Sequence, residues 1–225
     1  MKIVFFLLGV ASFLFGFQNS IGVAYLHSPT IYTKTDDTNT FFPALFYENE
    51  YLYFRGIELG YKYNPNISFI LRPNFNTREI EGLEDKKQAF SGGVEFTQKI
   101  DSYKISLNLL HDISNAHNGT QSSLKLSKTF VNYPFIITPS LGVEYEDKKV
   151  SNYYFGVEPN PTYPKYEAKE SLSPVVGVMG IYNINKTYSI FLLANNKFLS
   201  KNITDSPIVE KSNKSMILAS ILYKF

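Results

Sequence analysis

Beyond residue 20 the side chains alternate in character. Tyr103, Ile105, Leu107 and Leu109 are apolar and are separated by Lys104, Ser106 and Asn108. Ile137, Pro139, Leu141, Val143 and Tyr145 are separated in the same way by Thr138, Ser140, Gly142 and Glu144, with Glu146 following. Ile57, Leu59, Tyr61 and Tyr63 repeat the pattern against Glu58, Gly60 and Lys62, and it resumes after Asn64-Pro65-Asn66 in Ile67, Phe69 and Leu71. A period of two sends successive side chains to opposite faces of a strand, so the chain is predicted to be all-β. Strands are placed at 21–28, 41–48, 51–55, 57–63, 67–75, 91–100, 103–111, 119–130, 135–147, 172–184, 187–198 and 213–225.

A soluble sandwich also alternates, and two further features decide against it. The connections alternate in length: 76–90, 112–118, 148–171 and 199–212 are long, while those at Asp101-Ser102, Asn132 and Asn185-Lys186 are short. Aromatic residues crowd the strand ends beside the short turns, as in Tyr61, Tyr63, Tyr103, Phe130, Tyr133, Tyr182, Tyr188 and Tyr223. Amphipathic rings favour a membrane interface, and long loops opposite short turns are the habit of outer-membrane barrels. The prediction is therefore a transmembrane, antiparallel, up-and-down β-barrel. Twelve strands are expected, with ten as the fallback if the weak 51–55 segment merges with its neighbour. Closure follows because an open edge would leave unpaired amides in hydrocarbon.

The first segment reads differently. Met1 and Lys2 precede an apolar or small run from Ile3 to Phe17, the pattern of a secretory signal. It is shorter than the ~20 residues of a spanning helix. Residues 1–20 are expected to be a cleaved signal peptide, cut between 16 and 20, with the barrel occupying 21–225. At the other end Phe225, Tyr223, Ile221, Ala219 and Ile217 fall at every second position. This resembles the terminal strand that the barrel-assembly machinery of bacteria reads, which makes Ile221, Tyr223 and Phe225 a candidate assembly signal.

Composition narrows the chemistry. The 22 Lys and Arg nearly balance 20 Asp and Glu, so no nucleic-acid partner is expected. With no cysteine, disulfides, thiolate metal sites and a cysteine nucleophile are excluded. Three histidines remain. His111-Asp112 with Ser114 and His117 supplies nucleophile, base and orienter types, but sequence neighbours in one loop rarely assemble as a triad. No histidine pair has metal-ligand spacing. The expectation is a non-enzymatic protein without metal or cofactor.

Charged residues fall mainly on the predicted lumen face. They include Arg72, Glu95, Lys104, Lys125, Glu144 and Glu146, together with Glu58, Lys62, Lys99, Lys197 and Lys214. A polar interior held by mixed-sign pairs and a narrow pore both fit, and mixed signs argue against strong ion selectivity. The loop 148–171 carries Tyr153, Tyr154, Phe155, Tyr163 and Tyr166. It is expected either to fold inward as a constriction or to present its tyrosines to a partner, and the cost of exposing an aromatic cluster favours the first.

Several of these residues are similar to the MipA/OmpV family of outer-membrane proteins. They are Asp147 followed by Tyr153-Tyr154-Phe155-Gly156-Val157, Tyr166 and Ala168, Asp205-Ser206-Pro207-Ile208-Val209, and the closing Leu222-Tyr223-Lys224-Phe225, with Gly22, Pro29, Tyr32 and Pro43 near the start. The resemblance implies a protein of the cell outer membrane, in contact with lipid and lipopolysaccharide. It also implies a scaffold for a murein synthase and a lytic transglycosylase, while other members are discussed as adhesins or in osmotic and antibiotic responses. A small-solute channel and a surface adhesin remain the alternatives. Thr33-Lys34-Thr35 follows Tyr32 without the glycine the family places there, so that loop is expected to differ.

Overall fold

The computed structural model describes residues 19–74 and 80–225, so the expected signal segment lies almost wholly outside the described residues. Thirteen strand segments follow in chain order: β1 (Ser20–Ser28), β2 (Thr38–Glu48), β3 (Leu52–Arg55), β4 (Glu58–Lys62), β5 (Ile67–Asn74), β6 (Ala89–Ile100), β7 (Tyr103–Asp112), β8 (Thr120–Lys128), β9 (Phe130–Asn132), β10 (Phe135–Glu146), β11 (Ser171–Asn183), β12 (Tyr188–Phe198) and β13 (Asn213–Lys224). Two short helices, α1 (Lys148–Phe155) and α2 (Lys201–Thr204), lie in the outer connections. Each strand pairs antiparallel with its neighbours, and β1 pairs with β13 from Ser20↔Lys224 to His27↔Ile217, which closes the ring. β8 and β9 both pair with β10 and form one stave interrupted at Thr129. The barrel therefore has twelve staves.

The environment follows from which face is exposed. On β7 the apolar Leu107 and Leu109 are 46% and 57% exposed, whereas Lys104, Ser106 and Asn108 are buried. On β10 Ile137, Leu141 and Val143 point outward while Thr138 is buried. A water-soluble fold would put the leucines inside; here they form an outward belt whose natural solvent is hydrocarbon. Tyr47, Tyr61, Tyr103, Tyr133, Tyr182, Tyr188 and Tyr223 ring its short-turn end, with Phe135 stacked on Tyr182 at 5.0 Å and Tyr188 edge-on to Tyr223 at 5.7 Å.

Several expectations need correction. β2 begins at Thr38, three residues before the predicted start, and the 119–130 strand breaks at Thr129. The segment 148–171 is not a plain loop but contains α1. The lumen is not polar throughout. Inward side chains of β11, β12, β13, β1 and β2, among them Met179, Ile181, Phe191, Leu218, Leu26 and Phe46, form one buried apolar cluster. Polar and charged inward side chains concentrate on β3 to β8. One outer connection is also short, for β3 and β4 meet through Gly56-Ile57, with Gly56 at φ +66°. Glycine, with no Cβ, adopts that conformation most readily.

Candidate functional site

The polar half of the lumen is built from pairs reaching between strands. Tyr53 on β3 lies against Gly60 on β4, where any Cβ would stand about 2.0 Å from its ring, and its hydroxyl donates to Glu95 Oε2 on β6 at 3.2 Å. Arg55 sits 3.8 Å over the same ring and pairs with Glu48 at 2.7 Å, as does Lys62 at 2.6 Å. The Arg72 guanidinium donates twice to Glu58, and both residues are buried. Nearer the outer mouth Lys197 bridges Glu144 at 3.1 Å and Glu146 at 2.9 Å. It does so across β11, where the inward residues between them, Val175, Ser173 and Ser171, are small.

A cavity of about 190 Å³ opens where the two halves of the lumen meet. Arg72, Lys125, Glu144, Glu146, Lys197 and Lys214 line one part of it, while Leu110, Met179, Leu193, Met216 and Phe155 line another. Of the lumen charges picked out from sequence, Arg72, Lys125, Glu144, Glu146, Lys197 and Lys214 meet here. Glu95 lies on β6 against Tyr53, and Lys104 is buried on β7 outside this lining.

Above the cavity the outer loops pack into a cap. The N-terminus of α1 is fixed by Asp147, whose Oδ1 accepts from Val150 N at 2.9 Å and whose Oδ2 accepts from Thr120 N at 2.7 Å. That capping satisfies donors the helix cannot pair itself and ties α1 to the β7–β8 loop. Val150, Tyr154 and Phe155 pack with Ile31, Ala168 and Ile203, and a second cluster joins Ile80, Val157, Tyr163 and Ile208. Tyr32 and Val209 form an antiparallel bridge flanked by Thr33 N–H to Ile208 O and Glu210 N–H to Ile31 O. Ser206 Oγ donates to Phe155 O at 2.6 Å, and Tyr166 Oη to Asn202 O at 2.9 Å. Of the loop aromatics, Tyr154, Phe155 and Tyr163 are thus buried, Tyr153 and Tyr166 are half-buried, and Phe155 roofs the cavity. Burial pushes the Tyr154 hydroxyl well above the ordinary tyrosine range.

The His111–His117 segment has a structural geometry. Asp112 accepts from Ser114 Oγ at 2.6 Å, from His117 N at 2.6 Å and from Asn118 N at 2.8 Å. Ser114 Oγ also accepts from Phe90 N, so its hydroxyl serves the loop rather than either imidazole. His111 contacts Thr120 Oγ1 on the outer face. His117 is buried against Tyr153 and Tyr154, and its Nδ1 accepts from Gly119 N at 3.0 Å, which makes Nε2 the protonated nitrogen. Burial holds its pKa below the usual histidine value. Sequence reasoning did not foresee this role for His117, nor the bridging by Lys197. At the closing seam Ile221, Tyr223 and Phe225 are all outward and exposed.

Residues 21–225 match the family described as MltA-interacting protein MipA. The MltA-interacting protein of Escherichia coli K12 is 25% identical over 96% of this chain and 93% of its own. The outer membrane protein OmpV of Vibrio cholerae is 28% identical over 67% of this chain and 60% of its own. Among solved structures, the outer membrane channel COG4313 of Pseudomonas putida F1 aligns over 92% of this chain and 96% of its own with a TM-score of 0.39 and 10% identity.

Proposed function

Since the chain belongs to the MipA/OmpV family of outer-membrane barrels, we propose that it is a non-enzymatic anchor that holds a murein-modifying enzyme against the inner face of the outer membrane. The relative from Escherichia coli carries an interaction with MltA in its name, and this chain is similar to it over nearly its whole length. The observation that carries the reading is the asymmetry of the two ends. The outer mouth is roofed by a packed cap, whereas at the inner end the β9–β10 hairpin reaches past the β6–β7 turn, since Thr129 N–H already donates to Ser102 O there. Val131 and Tyr133 on that hairpin are 61% and 75% exposed. Among the described residues the other inner turns are shorter, so the hairpin is the projecting surface on which a partner gains apolar burial. Lipid and lipopolysaccharide cover the outward belt, and Ile221, Tyr223 and Phe225 engage the barrel-assembly machinery on the way in.

The test is affinity capture of the tagged barrel from gentle detergent extracts. Murein synthase or lytic transglycosylase should co-purify with the native chain and be lost from a Val131→Asp, Tyr133→Asp variant that still folds. If neither enzyme is retained by the native chain, the anchor reading fails. A second reading, passage of small solutes, is favoured by the cavity beneath the cap. It requires a measurable conductance in planar bilayers, and a silent barrel would remove it. Adhesion through the Tyr-rich loop has less support, because Tyr154, Phe155 and Tyr163 are buried.

A further inference from the structure

A single cross-strand row of the lumen wall carries three lysines. Lys125 on β8 faces Gly142 on β10, Gly142 faces Val175 on β11, Val175 faces Lys197 on β12, and Lys197 faces Lys214 on β13. Directly opposed residues share a face, and all five line the cavity beneath the cap. Like charges placed opposite one another destabilise a sheet, so setting Lys197 beside Lys214 carries a cost that a bound anion relieves. Glu144 and Glu146 engage Lys197 from the outer side of the row, and Glu58 engages Arg72 across the lumen. Those three carboxylates stand against Arg72, Lys125, Lys197 and Lys214, which leaves the cavity one positive charge in excess.

The same row makes the hollow. Gly142 and Val175 send little into the lumen between the lysines, and the next inward pair toward the inner end, Ser140 and Gly177, is as small. A Cβ on Gly177 would run into Asn195 Oδ1, so that carboxamide lies flat against the wall. Met179 and Ile181 on β11 and Phe191 on β12 then fill the lumen below. Glu144 points inward, yet its side chain is 43% exposed, so the space admits solvent. An apolar cavity of ~150 Å³ takes benzene, and this one, at about 190 Å³, has room for one substituted six-membered ring.

The lining is two-sided. Met179, Leu193, Met216 and Phe155 offer apolar contact, while Gln121, Ser123 and Asn195 offer a hydroxyl and two carboxamides. Ser123 Oγ accepts from Asn108 Nδ2 at 3.3 Å and keeps its own hydrogen to donate. An aromatic acid answers the charge and leaves these polar groups without partners, whereas a neutral sugar answers the polar groups and leaves the charge. We propose that the cavity binds a hydroxylated six-membered ring bearing one carboxylate, the chemistry of a hexuronate. The carboxylate meets Lys214 where it stands beside Lys197, and the ring hydroxyls meet Gln121, Ser123 and Asn195. A cavity that binds need not conduct, so this site stands apart from both the inner-rim anchor and solute passage.

Isothermal titration calorimetry of the native barrel in a neutral maltoside detergent tests it with D-glucuronate, D-galacturonate, their parents glucose and galactose, and benzoate. One of the uronates should bind roughly tenfold more tightly than its parent sugar and than benzoate, and added sodium chloride should weaken it. Absence of binding by both uronates, a parent sugar bound as well as its acid, or benzoate bound as well as either would overturn the proposal. Lys214→Gln should bring the uronate down to the affinity of its parent sugar and leave the parent unchanged. Val175→Phe fills the hollow and should abolish uronate binding. If one variant does not fold, the other decides, and uronate affinity undiminished in a folded variant would place the ligand outside the cavity and sink the assignment.

Discussion

Glu58 and Arg72 are a buried ion pair whose partners are 1% and 7% exposed. Removing one charge from such a pair strands the other, at a cost of roughly 3–5 kcal/mol, whereas replacing both with apolar groups of similar volume is often neutral. Glu58→Leu alone should therefore destabilise the barrel by several kcal/mol, and Glu58→Leu with Arg72→Met should recover most of the loss. Denaturant unfolding in micelles, followed by circular dichroism, measures both. The alternation of polar and apolar positions was enough to send Arg72, Glu95, Lys125 and Glu144 inward. Their partners were not legible, because pairing depends on strand register. Lys197 reaches Glu144 and Glu146 across an intervening strand because the small inward residues Ser171, Ser173 and Val175 leave room, and no sequence spacing encodes that.

The elements of the cap were the least visible. α1 is two turns long and sits inside a run dense in tyrosine and proline, so period two and composition both point to loop. Its signals were Asp147 in the capping position and the i, i+4 pairs Val150–Tyr154 and Ser151–Phe155, all four of which are buried. Asp147→Ala should cost about 1 kcal/mol for the lost cap, with more from the freed Thr120 amide. Amide exchange at Val150 and Thr120 should accelerate while the strands stay protected. The cap also responds to pH. Burial lowers the folded-state pKa of His117 despite the opposing pull of Asp112, Asp147 and Glu146, and His111 lowers it further. The unfolded cap then binds the proton more readily than the folded one, so stability is full above the ordinary value of ~6.5 and falls as pH drops below it. Exchange at Gly119, corrected for intrinsic rates, should rise between pH 7.5 and pH 5 in the native chain and stay flat in His117→Gln.

At the scale of the molecule, the staves were recovered nearly residue by residue, including the weak 51–55 segment that appears as β3, because period two survives on any strand with one face in lipid. The apolar half of the lumen was hidden. On β11 Val175-Val176-Gly177-Val178-Met179-Gly180-Ile181 is apolar at every position, the mark of a strand buried on both faces. Outward and inward positions should therefore answer differently to charge. Leu141→Arg on the belt should cost about 2–4 kcal/mol when folding into lipid vesicles is measured, near the figure for a cation at the bilayer midplane. Ser123→Lys on the polar inner wall, directly opposite Glu144, should cost far less in the same assay.

The Tyr32–Val209 bridge has a kinetic consequence. The joint between β1 and β13 unites the stretches farthest apart along the polypeptide, so its loop-closure entropy is the largest and it should form late. The bridge and its two flanking amide bonds clasp that joint from outside. A fastening made after the rate-limiting step leaves the speed of closure alone and lengthens the lifetime of the closed ring. Among the described residues the inner end of the joint is held beyond its ladder by one amide bond, Phe225 N–H to Asn19 O, so fraying would begin there.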